Sequence, residues 1–166
     1  MPVHVQHGNR DFLLGGEFLR ATGVHLLPDP ARVNLHGVDT LLSHGDLWCT
    51  DDLPYQRWRR FSRNRVAQLV FRLLPRALRE RIAGGVRASS FAHKRRTADT
   101  IMDVNPQAVR AAFARHRVPR IIHGHTHRPA EHRADFGERV VLADWRDDLR
   151  EYLIADGGVL RRQRLD

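Results

Sequence analysis

Apolar residues fall in short extended runs at both ends of the chain and at helical spacing in its middle. Val3–Gln6 runs into Gly8 and predicts a short strand. A helix is predicted from about Gly16 through Thr22, closed by Gly23, because glycine readily takes the left-handed conformation that ends helices. Val24–Leu27, Arg32–Leu35 and Thr40–Ser43 are strand-like, and HGVD between the last two reads as a tight turn. The character changes at Asp51-Asp52-Leu53-Pro54, where carboxylates followed by proline make a good helix start. Val66, Leu69, Val70, Leu73 and Leu74 then recur at i, i+3, i+4, i+7 and i+8, which puts them on one helical face, while Arg63, Arg65, Arg72 and Arg76 lie largely elsewhere. Pro75 should break or kink that helix. A second helical stretch is predicted from about Ser90 to Met102, and a third from Asn105-Pro106 with Val109 and Phe113 on one face. Strands return at Arg120–His123, at Arg139–Trp145, and in a hairpin whose Gly157-Gly158 turn joins Tyr152–Ala155 to Val159–Arg162. The pattern is an all-helical insertion between two sheet-forming halves of one domain.

Composition narrows the class. At 166 residues, 42% apolar and 28% charged, the chain fits one globular domain with an ordinary core. No stretch approaches the roughly 18 apolar residues of a membrane-spanning helix. Residues 1–20 lack the basic start, apolar run and small-residue cleavage site of a secretory signal. A lone Cys49 forms no internal disulfide, which agrees with a reducing compartment. The net charge of +9 is uneven: residues 57–96 hold thirteen Lys or Arg and one acid, Glu80, so the remainder sums to −3. Such a block attracts phosphates of a nucleic acid, an anionic membrane or a nucleotide-like substrate, and charge alone does not choose among them.

The candidate chemistry lies in three blocks that share one layout, a strand-like run ending in a loop of imidazoles and amides: HGNRD at 7–11, SHGD at 43–46 and HGHTHRP at 123–129. Strand C-terminal ends are where α/β sheets gather ligands. His125 and His127 are two apart just past a strand, and neutral imidazole suits first-row divalent metals. Strand alternation can aim both rings to one side, and Gly124 allows close backbone approach. Asn9 and His44 are the natural partners of His125, making a mixed nitrogen and oxygen site without thiolate that suits Mn²⁺, Fe²⁺ or Zn²⁺. His7 and His123 precede the glycines of their loops, where packing or support of the ligands is expected instead of ligation. The remaining histidines, His4, His25, His36, His93, His116 and His132, read as structural or exposed.

HGNRD, SHGDLWCTDDLPYQRWR and IIHGHTHRPAEH together resemble the calcineurin-type metallophosphoesterases and, within them, the UDP-2,3-diacylglucosamine diphosphatases of lipid A biosynthesis. The GN, GH and GHxH blocks indicate only the superfamily, whereas the CTDD stretch, IMDVN at 101–105 and HTHRP are narrower signals. The resemblance runs from about Val3 to the end. It implies an α/β fold, a metallophosphoesterase β-sandwich flanked by helices, forming one domain over 1–166 with a helical cap inserted at about 54–104. It also implies a Mn²⁺-dependent hydrolysis of UDP-2,3-diacylglucosamine to UMP and 2,3-diacylglucosamine 1-phosphate. Asn9, His44 and His125 match ligands of one Mn²⁺, and His127 matches a ligand of a second. Arg10 and His125 match catalytic positions, with the Arg10 guanidinium placed to stabilise charge developing on phosphate. Asn9, Arg10, Asp52, Tyr55, Ser90, Lys94 and His125 match substrate-contacting positions. Thr97 stands where the family commonly has Lys, a contact that Arg95 or Arg96 can replace.

The family's other ligands come from an N-terminal DxH and a GDxxD, and two such strand-helix units need roughly seventy residues. Six residues precede His7. The expectation is therefore an N-terminally incomplete domain with at most one nearly complete Mn²⁺ site, whose own activity is in question, and with an open sheet edge and uncovered apolar surface. The implied partners are a lipid-linked UDP-sugar and the anionic inner face of the inner membrane, touched peripherally from the cytoplasm, and not nucleic acid. Two other readings remain open on the residues alone: a metallophosphoesterase acting on nucleotides or nucleic acid, and a non-catalytic remnant that binds lipid or protein.

Overall fold

The computed structural model describes residues 2–96, 101 and 103–165, and only the backbone of residues 91–96. The fold is mixed α/β, and the chain divides into two compact units: Met1–Trp48 with Val104–Asp166, and Cys49–Asp103.

The first unit opens with a strand-helix-strand element. Strand β1 (His4–Gln6) pairs in parallel with β2 (His25–Leu27) across helix α1 (Gly16–Thr22). Gly23 ends α1 at φ 70°, its N–H donating to the Leu19 carbonyl at 2.9 Å, as the sequence predicts. The main sheet has the order β3-β4-β5-β7-β6. Strand β3 (Ala31–Leu35) is antiparallel to β4 (Val38–Ser43), which runs parallel to β5 (Arg120–His123), itself parallel to β7 (Gly137–Val141). The edge strand β6 (Ala130–Ala134) is antiparallel to β7. Leu41, Ile121, Val140 and Val141 on the three central parallel strands are at most 2% exposed, as parallel strands covered on both faces should be.

Helix α5 (Pro106–His116) is capped by Asn105, whose side chain accepts from Gln107 and Ala108 N–H at 2.9 and 3.1 Å. It buries Val109, Ala112 and Phe113, and Phe113 lies directly against Gly137 of β7. The hairpin of β8 (Glu151–Asp156) and β9 (Val159–Arg164) turns at Gly157-Gly158, both at positive φ. Arg162 joins it to the main sheet, donating to the carbonyls of Val141 at 2.8 Å and Ala130 at 3.1 Å and pairing with Glu151 at 2.5 Å. An apolar cavity of about 400 Å³ lies nearby, lined by Leu35, Ile122, Leu142, Trp145, Leu153 and Leu160 among others.

The second unit is helical: α2 (Leu53–Ser62), α3 (Arg65–Leu73) and α4 (Arg76–Arg96). Asp52 caps α2, its Oδ1 accepting from Tyr55 N–H at 3.1 Å, and Asn64 caps α3 through Val66 and Ala67 N–H at 2.9 and 3.1 Å. Pro75 separates α3 from α4 as its missing N–H requires. Among the described residues no helix is long and apolar enough to cross a membrane.

Three local expectations change. Helix α4 starts at Arg76, not near Ser90: the Pro75 carbonyl accepts from Leu78 and Arg79 N–H, and the Ala, Leu, Arg and Glu that follow favour helix. Gly84 and Gly85 each cost about 1 kcal/mol relative to alanine, and the helix continues through both. The strand expected at Arg139–Trp145 is Gly137–Val141, and its partner β6 has no apolar alternation because it is an exposed, charged edge. The rest of the predicted Ser90–Met102 helix beyond Arg96 lies largely outside the described residues.

Candidate metal centre at the ends of the parallel strands

Ser43, His123 and Val141 are register partners across β4, β5 and β7, so the three parallel strands stop at one level. The residues after them emerge at the C-terminal edge where α/β sheets place ligands. His44 follows β4, His125 stands two residues past β5, and Asp144 three past β7. Backbone bonds hold the three exits together: Gly124 N–H donates to the His44 carbonyl at 3.1 Å, and Leu142 N–H to the His123 carbonyl at 2.7 Å. His44 Nε2 and His125 Nδ1 are 3.1 Å apart, with the rings at 70° and their centroids 4.9 Å apart.

The loop geometry differs from strand alternation. β5 ends at His123, and His125 and His127 sit at φ 68° and 56°, the left-handed region that non-glycine residues seldom occupy. Such conformations persist where surrounding structure holds them and cluster at functional sites. Close approach also falls elsewhere than expected. A side chain at Gly124 would meet only the His44 carbonyl at 3.7 Å, an ordinary contact. At Gly45, with φ 103°, a Cβ would stand 2.8 Å from His123 Nδ1 and 3.1 Å from the Gly124 carbonyl. Gly8 brings the first loop against the second, since its Cβ position is 3.2 Å from His44 Cε1.

Burial holds His125 well below the usual imidazole range, to about 4, with repulsion from His44 adding to the shift and Asp46 opposing it. His125 is therefore neutral at neutral pH, the state in which a ring nitrogen can bind a metal. Two nitrogens held about 2.1 Å from one ion at right angles are about 3 Å apart, and the His44–His125 separation of 3.1 Å matches that edge. The pair thus fits two adjacent ligands. Among the described residues no group of three or more His, Cys, Asp or Glu is arranged to hold a metal ion; the Asn9 amide stands on the adjoining loop.

The other predicted residues fall into three sets. Arg10 is exposed on the loop of Asn9, which closes through a 2.5 Å bond from Gly8 N–H to Asp11 Oδ1. His127 is half-exposed, with Nδ1 3.2 Å from Asp144 Oδ2, which leaves Nε2 for another partner. Asp52, Tyr55 and Ser90 belong to the helical unit, Asp52 as the buried cap of α2, Tyr55 half-buried in its first turn and Ser90 exposed on α4. The side chains of Lys94, Arg95 and Arg96, and Thr97 altogether, lie outside the described residues. His7 and His123 take supporting positions: His7 Nε2 bonds the Leu14 carbonyl at 2.8 Å, and the fully buried His123 packs edge-on against Trp48.

No family model matches the chain. Over 161 residues it is 47% identical to the UDP-2,3-diacylglucosamine hydrolase of Chromobacterium violaceum, an overlap of 96% of this chain and 68% of that protein. The chain belongs to the UDP-2,3-diacylglucosamine hydrolase family. The relative of that name in Pseudomonas paraeruginosa is 47% identical over 147 residues, and one in a Shewanella species 44% identical over 146. Those overlaps take in 86 and 87% of this chain but 61% of each relative, so the chain spans about two thirds of the length of the family members it matches, or slightly less. Two acids that contact the candidate histidines or their loops escaped sequence reasoning. Asp144 stands outside all three blocks, and the parallel exit of β7 was the signal for it. Asp29 lies in LPDP between two strands, and nothing in the linear pattern connects it with His44, fifteen residues away.

Proposed function

We propose that the chain carries the phosphate-handling end of a hydrolase that cleaves the diphosphate of UDP-2,3-diacylglucosamine, giving UMP and 2,3-diacylglucosamine 1-phosphate. The His44–His125 pair, with His125 held neutral by burial, set beside the loop of Asn9 and Arg10 in a chain 47% identical to relatives of that name, carries this reading. Asn9, His44 and His125 would hold one Mn²⁺, and His127, oriented by Asp144, would contribute to a second. Mn²⁺, when bound, supplies Lewis-acid activation of water and of the phosphoryl oxygen. Arg10 would pair with phosphate through its guanidinium fork, and burial around His125 strengthens every charge interaction there. In the helical unit Asp52, Tyr55, Ser90 and Lys94 would meet the rest of the substrate.

The same unit supports contact with an anionic membrane from the cytoplasmic side. Val66, Leu69, Val70 and Leu73 of α3 are 55–76% exposed, and Arg65 and Arg72 on that helix are exposed with them. An apolar stripe flanked by arginines lies in a lipid interface by inserting the one and pairing the other with headgroups.

The test is release of UMP from UDP-2,3-diacylglucosamine in the presence of Mn²⁺, set against a generic phosphodiester. His44→Ala and His125→Ala should abolish the release. Turnover of the generic ester alone, with the UDP-lipid untouched, would overturn the proposal.

A further inference from the structure

The loop that presents His44 is held by a residue from outside every candidate block. Asp29 Oδ1 accepts from Ser43 Oγ at 2.6 Å and from the backbone N–H of His44 at 3.1 Å. Ser43 Oγ in turn accepts from Gly45 N–H at 3.1 Å. Through these bonds one carboxylate oxygen sets three consecutive residues, Ser43, His44 and Gly45. The same segment is tied to the other loop. Gln6, the last residue of β1 and three before Asn9, donates through Nε2 to the Pro28 carbonyl at 2.7 Å and to the Leu42 carbonyl at 3.1 Å. Pro28 and Asp29 are thus a common anchor: one residue registers the start of the Asn9 loop, the next registers the His44 loop. Gly8 then lies against the His44 ring, where a Cβ would make a tight 3.2 Å contact with His44 Cε1.

We propose that Asp29 is a positioning residue, which acts through Ser43 and the backbone of His44 to hold the His44 imidazole between Gly8 and His125. The inference rests on the reading of His44 as part of the site. It predicts that the acceptor oxygen matters, more than the negative charge.

The test compares Asp29→Ala, Asp29→Asn and Ser43→Ala in the 166-residue chain by the NMR signals of the histidine Cε1–H groups, without metal and during titration with Mn²⁺ alone. Asp29→Ala should shift the His44 and His125 signals, leave those of His4, His25 and His116 in place, and weaken the Mn²⁺ response of His44 about 10- to 100-fold. Asp29→Asn keeps an oxygen in the same place and should return both observations close to the parent. Parent-like His44 and His125 signals in Asp29→Ala would overturn the proposal, as would Asp29→Asn perturbed as much as Asp29→Ala. If Asp29→Ala does not fold, Ser43→Ala decides, since it removes only the relay: displaced His44 signals support the proposal and unchanged ones overturn it. A parent chain that does not respond to Mn²⁺ would count against the metal reading, while the metal-free signals would still decide the role of Asp29.

Discussion

Ile121 and Ile122 in β5 and Leu69 and Val70 in α3 are neighbouring apolar pairs in equally clear patterns, yet the first pair is 0 and 6% exposed and the second 58 and 55%. A central parallel strand has hydrogen-bonded neighbours on both sides, and the elements that connect those strands cover its faces. An amphipathic helix has no such obligation. Its backbone bonds are internal, so it needs no neighbouring strand to satisfy them, and no residue of α3 is buried. The difference teaches that a hydrophobic pattern specifies which face seeks burial and leaves open what buries it. In the sheet the answer is the rest of the fold. On α3 it is the lipid surface proposed above.

The largest expected contrast is in stability. Ile121→Ala should cost about 2–5 kcal/mol in urea unfolding, from lost burial and the cavity left behind, and Leu69→Ala less than about 0.5 kcal/mol, as for an exposed position. Comparable losses at the two sites would break the comparison.

The second contrast is acid sensitivity, which the sheet end has through His125. Its folded pKa, about 4, lies below the ordinary imidazole value of 6.5, so on acidification the unfolded chain takes up a proton before the folded chain does. Stability is unaffected above pH 6.5, falls as the pH drops from 6.5 to about 4, and loses on the order of 3 kcal/mol over that window. Chemical denaturation of metal-free protein at pH 7 and pH 5 should show the loss, and His125→Asn should flatten it; an unchanged slope in that variant would assign the acid sensitivity to other groups.

A third contrast is between helix caps. Asn105→Ala and Asn64→Ala each remove a side chain that accepts from two backbone N–H groups, and each should cost about 1 kcal/mol of local helix stability. At α5, whose inner face is core, the cost should appear in global unfolding. At α3 it should appear as faster amide exchange in the first turn, with the global transition unmoved. The smallest effect on stability is expected for Leu69→Glu combined with Leu73→Glu, within about 0.5 kcal/mol. The same pair should lower co-sedimentation with phosphatidylglycerol vesicles by tenfold or more, since burying each leucine contributes roughly 1.5–3 kcal/mol. Vesicle binding unchanged by the two charges would remove α3 as the contact.

Much of this was legible along the chain wherever the cause is local. Gly23 ending α1, Asp52 and Asn105 starting α2 and α5, Pro75 interrupting the helices and Gly157-Gly158 turning the hairpin all act within four residues of themselves, and each did what its chemistry predicts. Edge strand β6 was not legible because its conformation is selected by pairing with β7 and not by a local apolar pattern. The site's glycine of close approach was misplaced for a related reason: Gly124 and Gly45 look alike in sequence, and only the fold brings the His123 ring and the Gly124 carbonyl against Gly45.

By itself the sequence determined the three histidine- and asparagine-bearing blocks, the alternation of sheet and helix that carries them, and membership of the UDP-2,3-diacylglucosamine hydrolase family, because residue type and spacing suffice for each. Tertiary structure alone decided that β4, β5 and β7 end at one level, that His44 and His125 come to 3.1 Å with His125 held neutral by burial, and that Asp29 and Asp144 stand behind the histidines. The reason is physical: caps and turns are settled by bonds a few residues long, whereas proton affinity, ring separation and support of a loop depend on groups brought together across 81 residues of chain for His44 and His125.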